Sequence, residues 1–448
     1  MKLLLLCAAA LGQAGCYLAL LFLGNLRRHV PETLCIFAVC FLLYLLTLRL
    51  LLRNEYPERN APAARQTFMH SNRYLTAVLG LAVLFRLILW PSIPSLSDDL
   101  YRYSWEGRVI CSGHNPYALS PDAPELKDLR DMKIFPLVSR PNLSTIYPPV
   151  AQLIFATASA VSYSVASMKA IFIFFDLAVL ALLLRILTTL GKNPLLSAIY
   201  ALNPLIVIEF SGSGHLDSAG IFFMILALYF CLKRREKLSA VALAMAFLVK
   251  LLPLLLLPII AHKKKFLSFA FFIIISVAAF LPFISAGQKL FASLSLYTEN
   301  WMFNGSCYNL LLLFVPDNQT ARRIIAALFC LVAAAAYYRF NNINRLEHPE
   351  IIFRQCLFIL GLLLLFTPIV HPWYVCWVVP LVAVVQNRAW LLFSGLVFAS
   401  YWVLREFNAS GQWQESPAVL LIEYLPLYAL LLFDYVQARG KNVHASPI

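Results

Sequence analysis

The stretch YLTAVLGLAVLFRLILWPSIPSLSDDLYRYSWEGR, residues 74–108, governs how the rest of the chain is read. Its first half, Tyr74 to Trp90, is apolar and close to the roughly 20 residues that a helix needs to cross a hydrocarbon core. Its second half opens a long polar loop with two adjacent carboxylates, Asp98 and Asp99. Carboxylates are costly to hold near hydrocarbon, so a pair at the end of an apolar segment marks a functional site at a membrane face.

The remainder of the chain has the same character. It has 448 residues, 61% hydrophobic and 13% charged, with a mean hydropathy of +0.76. A soluble domain is about 45–50% apolar and about 25% charged. The expected fold is an all-α polytopic membrane protein, 1–448 forming one membrane domain. Apolar runs fall at 3–23, 33–52, 74–90, 170–188, 195–210, 218–232, 266–285, 321–340, 351–369, 373–386, 389–405 and 418–436.

The run 239–261 is one crossing long, yet KRREK before it and HKKK after it both favour the cytoplasm. A hairpin with Lys250 at its apex resolves this, with Pro253 and Pro258 permitting the break. A single crossing would put Lys250 at mid-membrane, at a cost of about 2.5–3.5 kcal/mol. With the hairpin there are about 12–14 membrane segments. The net charge of +14 comes mostly from short basic clusters between apolar runs, at 53–73, 185–192, 233–237, 339–350 and 439–441. That pattern sets orientation and does not indicate nucleic acid; Arg27 and Arg28 run against it, falling outside.

The outside then receives 91–147, 211–218, 286–320, 371–374 and 406–416. Segment 148–166 reads as a helix on or dipping into the outer leaflet, so 91–166 forms an extracytoplasmic cap over the bundle. Ten cysteines show no CxxC pair and no metal-type Cys/His cluster. Cys111 and Cys307 share the outside and are open to a disulfide. Sequons at Asn142, Asn304, Asn318 and Asn408 also fall there, a coincidence that chance can produce.

If SDDLYRYSWEG is helical, Asp98, Arg102 and Glu106 share one face, with Asp99 and Tyr103 beside them. This is either a general base held by an arginine or an interfacial ion-pair ladder with aromatic anchors. His215 and Asp217 can bind a sugar or phosphate, or Asp217 simply caps the next helix. Lys250 suits a phosphate as a compact charge or snorkels to the surface. His371-Pro372-Trp373-Tyr374 offers an imidazole beside two rings able to stack on a sugar. No Gly-rich phosphate loop or nucleotide-sugar fold is present, so a donor would arrive through the membrane.

Taken in order, SDDLYRYSWEGRVICSGHNPYALSPDAPEL, TIYPPVAQLIF, SGHLD, VKLLPLLLLP and HPWYVCWVVPL resemble the integral-membrane glycosyltransferases of the GT-C fold, and most of all glycosyltransferase family 87. The resemblance runs from about residue 74 to 386; 3–52 and the last two helices add little to it. It implies a GT-C-like bundle that transfers a hexose, mannose foremost, from a polyprenyl-phosphate carrier. The acceptor would be a glycan, lipid or protein on the outer face of a bacterial plasma membrane, in envelope glycan assembly. The family's acidic residue at the start of the first external loop maps onto Asp98 or Asp99 and does not separate them. Arg102, Arg108, Lys250 and His371 are the cations available for the donor phosphate. Glu106, Tyr147, His215, Asp217, Trp373 and Tyr374 are the substrate-binding candidates. No cofactor is certain from the sequence; Mg²⁺ or Mn²⁺ on the paired aspartates is left open, two carboxylates alone being weak evidence. The rival readings are a transporter or flippase of a lipid-linked sugar, which should place polar residues at the midplane, and an inactive family member serving as a complex subunit.

Overall fold

The protein is described from a computed structural model, which covers residues 1–52, 64–261, 265–341 and 349–443. The basic runs expected in 53–63, at Lys263-Lys264 and in 342–348 lie outside the described residues. In hydrocarbon every backbone N–H and C=O must be paired within the protein, which favours helices. The described residues are accordingly helical, with one isolated extended bridge, Phe303 to Ile369.

In chain order the helices begin with α1 (Lys2–Leu23), α2 (Val30–Leu52), α3 (Ala64–Leu89), α4 (Asp99–Cys111), α5 (Pro149–Val161) and α6 (Val165–Thr189). The middle comprises α7 (Ala198–Ala201), α8 (Pro204–Val207), α9 (Asp217–Leu232), α10 (Glu236–Val249), α11 (Leu257–Ile260) and α12 (Lys265–Phe280). There follow α13 (Ala292–Asn300), α14 (Cys307–Leu312), α15 (Asn318–Asn341), α16 (Ile351–Phe366), α17 (Pro372–Val375) and α18 (Val379–Val385). The chain closes with α19 (Arg388–Leu396), α20 (Val403–Ser410) and α21 (Pro417–Val443).

Among the described residues seven helices are long and apolar enough to cross a membrane, and the pair Pro194–Ala201 and Pro204–Gly212, bent by 56°, adds an eighth only if the two pieces form one broken span. The other expected segments appear as shorter helices, such as α9 and α16, each of 16 residues. Large side chains such as Leu11, Leu331, Leu425 and Phe433 face outward, as lipid contact requires. This is an integral, multi-pass helical membrane protein.

The bundle is pinned where α7 gives way to α8. Asn203 and Pro204 break the helix, and the break frees carbonyls that need donors. Arg86 of α3, wholly buried, donates to the Ala201 carbonyl at 2.7 Å and pairs with Asp176 of α6 at 2.6 Å. The Tyr200 hydroxyl donates to the same carboxylate at 2.7 Å. Asn203 caps α8 by accepting from the Leu205 N–H.

The run 239–261 breaks at Lys250, where the backbone is extended between α10 and a tight turn over Leu252–Leu256. The chain then returns toward the opposite end of the bundle. Tyr337, near the far end of α15, donates to the Leu255 carbonyl at 2.5 Å. Lys250 therefore stands at the apex of a hairpin, as the flanking charges implied. Helix α10, 14 residues long, rises about 21 Å at 1.5 Å per residue.

Above this end sits the cap, in which α5 packs along α4. Trp105, Val109, Leu126 and Val138 form its own small core. The disulfide left open between Cys111 and Cys307 does not form: both thiols are free, one set against the Ala156 carbonyl of α5 and the other against the Tyr428 hydroxyl of α21. The sequon residue Asn304 is buried and donates to Glu423 at 2.7 Å.

Removing one partner of the Arg86–Asp176 pair leaves an uncompensated buried charge. Arg86→Met or Asp176→Asn alone should cost about 3–5 kcal/mol and lower the melting temperature in detergent. Pairing Arg86→Met with Asp176→Leu should recover much of the loss. Single variants that melt like wild type would remove this pin from the account.

Candidate active site

A cavity of about 570 Å³ lies at the cap end of the bundle. Asp98, Asp99, Tyr103, Tyr147, Lys250, His371, Trp373 and Tyr374 all line it. Four stretches of chain far apart in sequence supply them.

The loop before α4 is held from both sides. Lys169 of α6 donates to the carbonyls of Trp90 and Ser92, at 3.2 and 2.6 Å, capping the end of α3. Ser95 accepts the N–H of Leu26 at 2.8 Å, tying the loop to the α1–α2 turn. Asp98 is then the N-cap residue of α4, and its carboxylate meets the Arg27 guanidinium at 3.3 Å. Asp99 turns the other way, its Oδ2 accepting from the Tyr103 hydroxyl at 3.4 Å and lying 3.8 Å from His215 Nδ1. Burial pushes the Asp99 carboxyl up to about 6, the Lys250 ammonium acting in the opposite direction.

The turn SGSGHLD needs Gly214, which has φ +74 and packs so closely on Leu100 of α4 that a Cβ would approach within 2.3 Å. A π-helical turn, Ile208–Gly212, precedes it, a feature common at functional sites. Beyond the turn, Asp217 is buried and holds two groups on Oδ1: Lys250 Nζ at 2.6 Å and Trp377 Nε1 at 2.5 Å. Lys250 also lies over the Tyr374 ring, 3.9 Å from its centre. On the far wall His215, Trp373 and His371 form a continuous stack, with ring centres 3.8 and 4.3 Å apart. Burial lowers His371 to about 3, with the Lys250 charge acting the same way. At neutral pH His371 therefore offers a neutral imidazole.

The other candidates are placed differently. Asp217 and His215 sit behind the cavity wall and act on it through Lys250 and Trp373. Arg102 spends its donors on Glu106 at 2.5 Å and on the carbonyls of Ser139, Arg140 and Leu143. Glu106 is buried and accepts from Thr145 and Gln152 as well, so this network braces the cap loop. Arg108 faces Asp131 at 3.7 Å and the Tyr163 ring, away from the cavity. Arg27, which lines the cavity, was not among the expected site residues; its charge on the wrong side of the orientation pattern was the available signal. The two aspartates have different partners, and among the described residues no three His, Cys, Asp or Glu side chains form a metal cradle.

Against this geometry, the family model described as alpha-(1->6)-mannopyranosyltransferase, N-terminal domain, matches residues 4–263, and that of glycosyltransferase family 87 matches 145–399. The chain belongs to these glycosyltransferase families. No curated protein and no solved structure matches it. The glycosyltransferase reading thus stands over the transporter one. The first match starts at residue 4, so α1 and α2 are part of the family relationship although they contributed little to the resemblance. Their turn supplies Arg27 to the site of this glycosyltransferase.

Helix α9 passes Trp377 at Gly220, where a Cβ would come within 2.5 Å of the indole. Gly220→Ala should displace Trp377 and disturb the Trp377–Asp217–Lys250 chain. Transfer activity is expected to fall about tenfold or more, with membrane insertion unchanged. Full activity would show that the chain tolerates the shift.

Proposed function

We propose that the enzyme transfers a hexose, mannose foremost, from a polyprenyl-phosphate carrier to an acceptor hydroxyl on the extracytoplasmic face of a bacterial plasma membrane. One observation carries this reading. The cavity holding Asp99 and Lys250 shares the wall residues Tyr297, Thr298, Leu363, Thr367 and Tyr374 with a second chamber of about 410 Å³. That chamber is apolar, with Ile325, Ala326 and Phe329 of α15 facing Phe366 of α16. A polar head site joined to an apolar chamber suits a lipid-linked sugar phosphate better than a nucleotide sugar.

In this mechanism the Asp99 carboxylate takes the proton of the acceptor hydroxyl. The oxygen lone pair attacks the anomeric carbon, and the bond from that carbon to the phosphate oxygen breaks, leaving its electron pair on the carrier phosphate. A single displacement inverts the anomeric centre. Charge building on the phosphate is met by Lys250, which has three donors and spends one on Asp217. Arg27 adds a second charge, and His371 can give a neutral N–H. Arg102 drops out of this role because its donors are committed to Glu106 and the cap-loop carbonyls, and Arg108 because it faces Asp131, away from the cavity. Asp98, charge-paired with Arg27, orients that guanidinium, and Asp99 is the base.

Asp99→Asn should reduce transfer from polyprenyl-phosphate-mannose by about 100-fold or more, and Asp98→Asn considerably less. The reverse order would exchange their roles. Because the base must be ionised, kcat/KM of wild type should rise with pH through about 6, and a rate independent of pH between 5 and 7 would rule Asp99 out. Lys250→Met should cost about 10²–10³ in kcat.

A further inference from the structure

Three buried polar atoms behind the cavity wall play no part in the mechanism above: Nδ1 and Nε2 of His215 and Oε2 of Glu209. None of them has a hydrogen-bond partner among the described residues. Unpaired polar atoms are rare in a protein interior, and each one is costly. These three lie in a row that leads to Asp99. Glu209 Oε2 is 3.4 Å from His215 Nε2, and His215 Nδ1 is 3.8 Å from Asp99 Oδ2. A closure of roughly 0.5–1 Å at each gap pairs all three at ordinary hydrogen-bond length. Contacts of this kind are commonly long in a free enzyme and tighten on its substrate.

The row is framed on every side. The His215 backbone N–H donates to the Glu209 carbonyl at 3.0 Å, closing the turn that carries both residues. Glu209 Oε1 accepts from the Tyr401 hydroxyl at 2.8 Å, and the His215 ring lies flat on Trp373. Burial, with the Lys250 charge and His371 acting the same way, keeps the imidazole neutral at physiological pH, so it carries one N–H. Asp99 serves as an ionised base and can only accept a hydrogen bond. The N–H therefore belongs on Nδ1, and Nε2 is left as a lone pair that needs a donor. Glu209 Oε2 is the group that faces it and supplies one by carrying a proton. No lysine or arginine among the described residues pairs with Glu209, which suits a neutral carboxyl.

We propose that Glu209 and His215 are positioning residues of the transferase. The Glu209 carboxyl donates to Nε2 and fixes the imidazole in its Nδ1–H form. That N–H holds Asp99 Oδ2 and leaves Oδ1 to meet the acceptor hydroxyl. The proposal rests on the reaction assigned above in taking Asp99 as its base. Asp99 also faces Asp98, Tyr103, Asp217 and Lys250, and Glu209 also faces Asp217 and Cys376; the variants below leave these in place.

Nitrogen NMR of enzyme with isotope-labelled histidine reads the tautomer without turnover. The His215 signals are those lost in His215→Phe, which keeps a ring against Trp373. The expected wild-type ring is neutral and protonated on Nδ1, and a ring protonated on Nε2 or on both nitrogens overturns the proposal. Glu209→Leu should lower kcat about 10- to 100-fold and leave the donor KM within about twofold. The midpoint of kcat/KM against pH should move up by roughly one unit, because the carboxylate loses a donor. Glu209→Gln keeps an N–H toward Nε2 and should recover most of the lost rate. Glu209→Leu with His215→Phe should be little worse than either alone, as residues acting as a unit are. A Gln variant as slow as the Leu variant, additive losses or an unmoved midpoint overturns the positioning role. If wild type turns over no polyprenyl-phosphate-mannose, or Glu209→Leu does not fold, the wild-type NMR signal still decides. An Nδ1–H ring without turnover upholds the pairing and unseats only the donor assignment.

Discussion

The 2.6 Å pair between Lys250 and Asp217 is the interaction on which the architecture of the site depends. It joins the N-terminal end of α9 to the apex of the hairpin that follows α10. A lysine at the end of an apolar half-helix is costly unless a counter-charge and a ring receive it. Asp217 and Tyr374 do both, and Trp377 shares the same carboxylate oxygen. With the ammonium fixed there, the hairpin cannot slide and the cation remains at the cavity wall. The cost of an interrupted crossing is thereby turned into a positioned charge.

Around that anchor the molecule separates bracing from chemistry. Arg102 and Glu106 share one helical face, a pattern equally suited to a catalytic carboxylate with its arginine. In the fold this face turns inward, and the arginine gathers three carbonyls of the cap loop. The open side of α4 is left to Asp98 and Asp99, which sit at its first turn, where the helix dipole favours negative charge. Arg27 reaches Asp98 from the α1–α2 turn, so the first two helices complete the site as well as the bundle.

Much of this was legible in the sequence because hydrophobicity and charge act locally. Run lengths located the longer helices, and the basic flanks of 239–261 favoured a return at Lys250 over a single crossing. The SDD, GHLD and HPWY stretches, far apart in the chain, do converge on one cavity. Which members of each motif face it was not legible, since that depends on helix rotation and on contacts across the fold. Arg108 turns toward Asp131, Asp217 lies behind Lys250, and the two adjacent aspartates diverge to partners in α1–α2 and in the GHLD turn.

The most direct test of the account is a structure of the enzyme bound to a non-hydrolysable polyprenyl-phosphonate-mannose. The account predicts a phosphonate oxygen within hydrogen-bond reach of Lys250 Nζ, the anomeric carbon on the Asp99 side of it, and the isoprenoid chain between α13, α15 and α16. A headgroup bound away from Lys250, or a chain leaving along another face of the bundle, would contradict it.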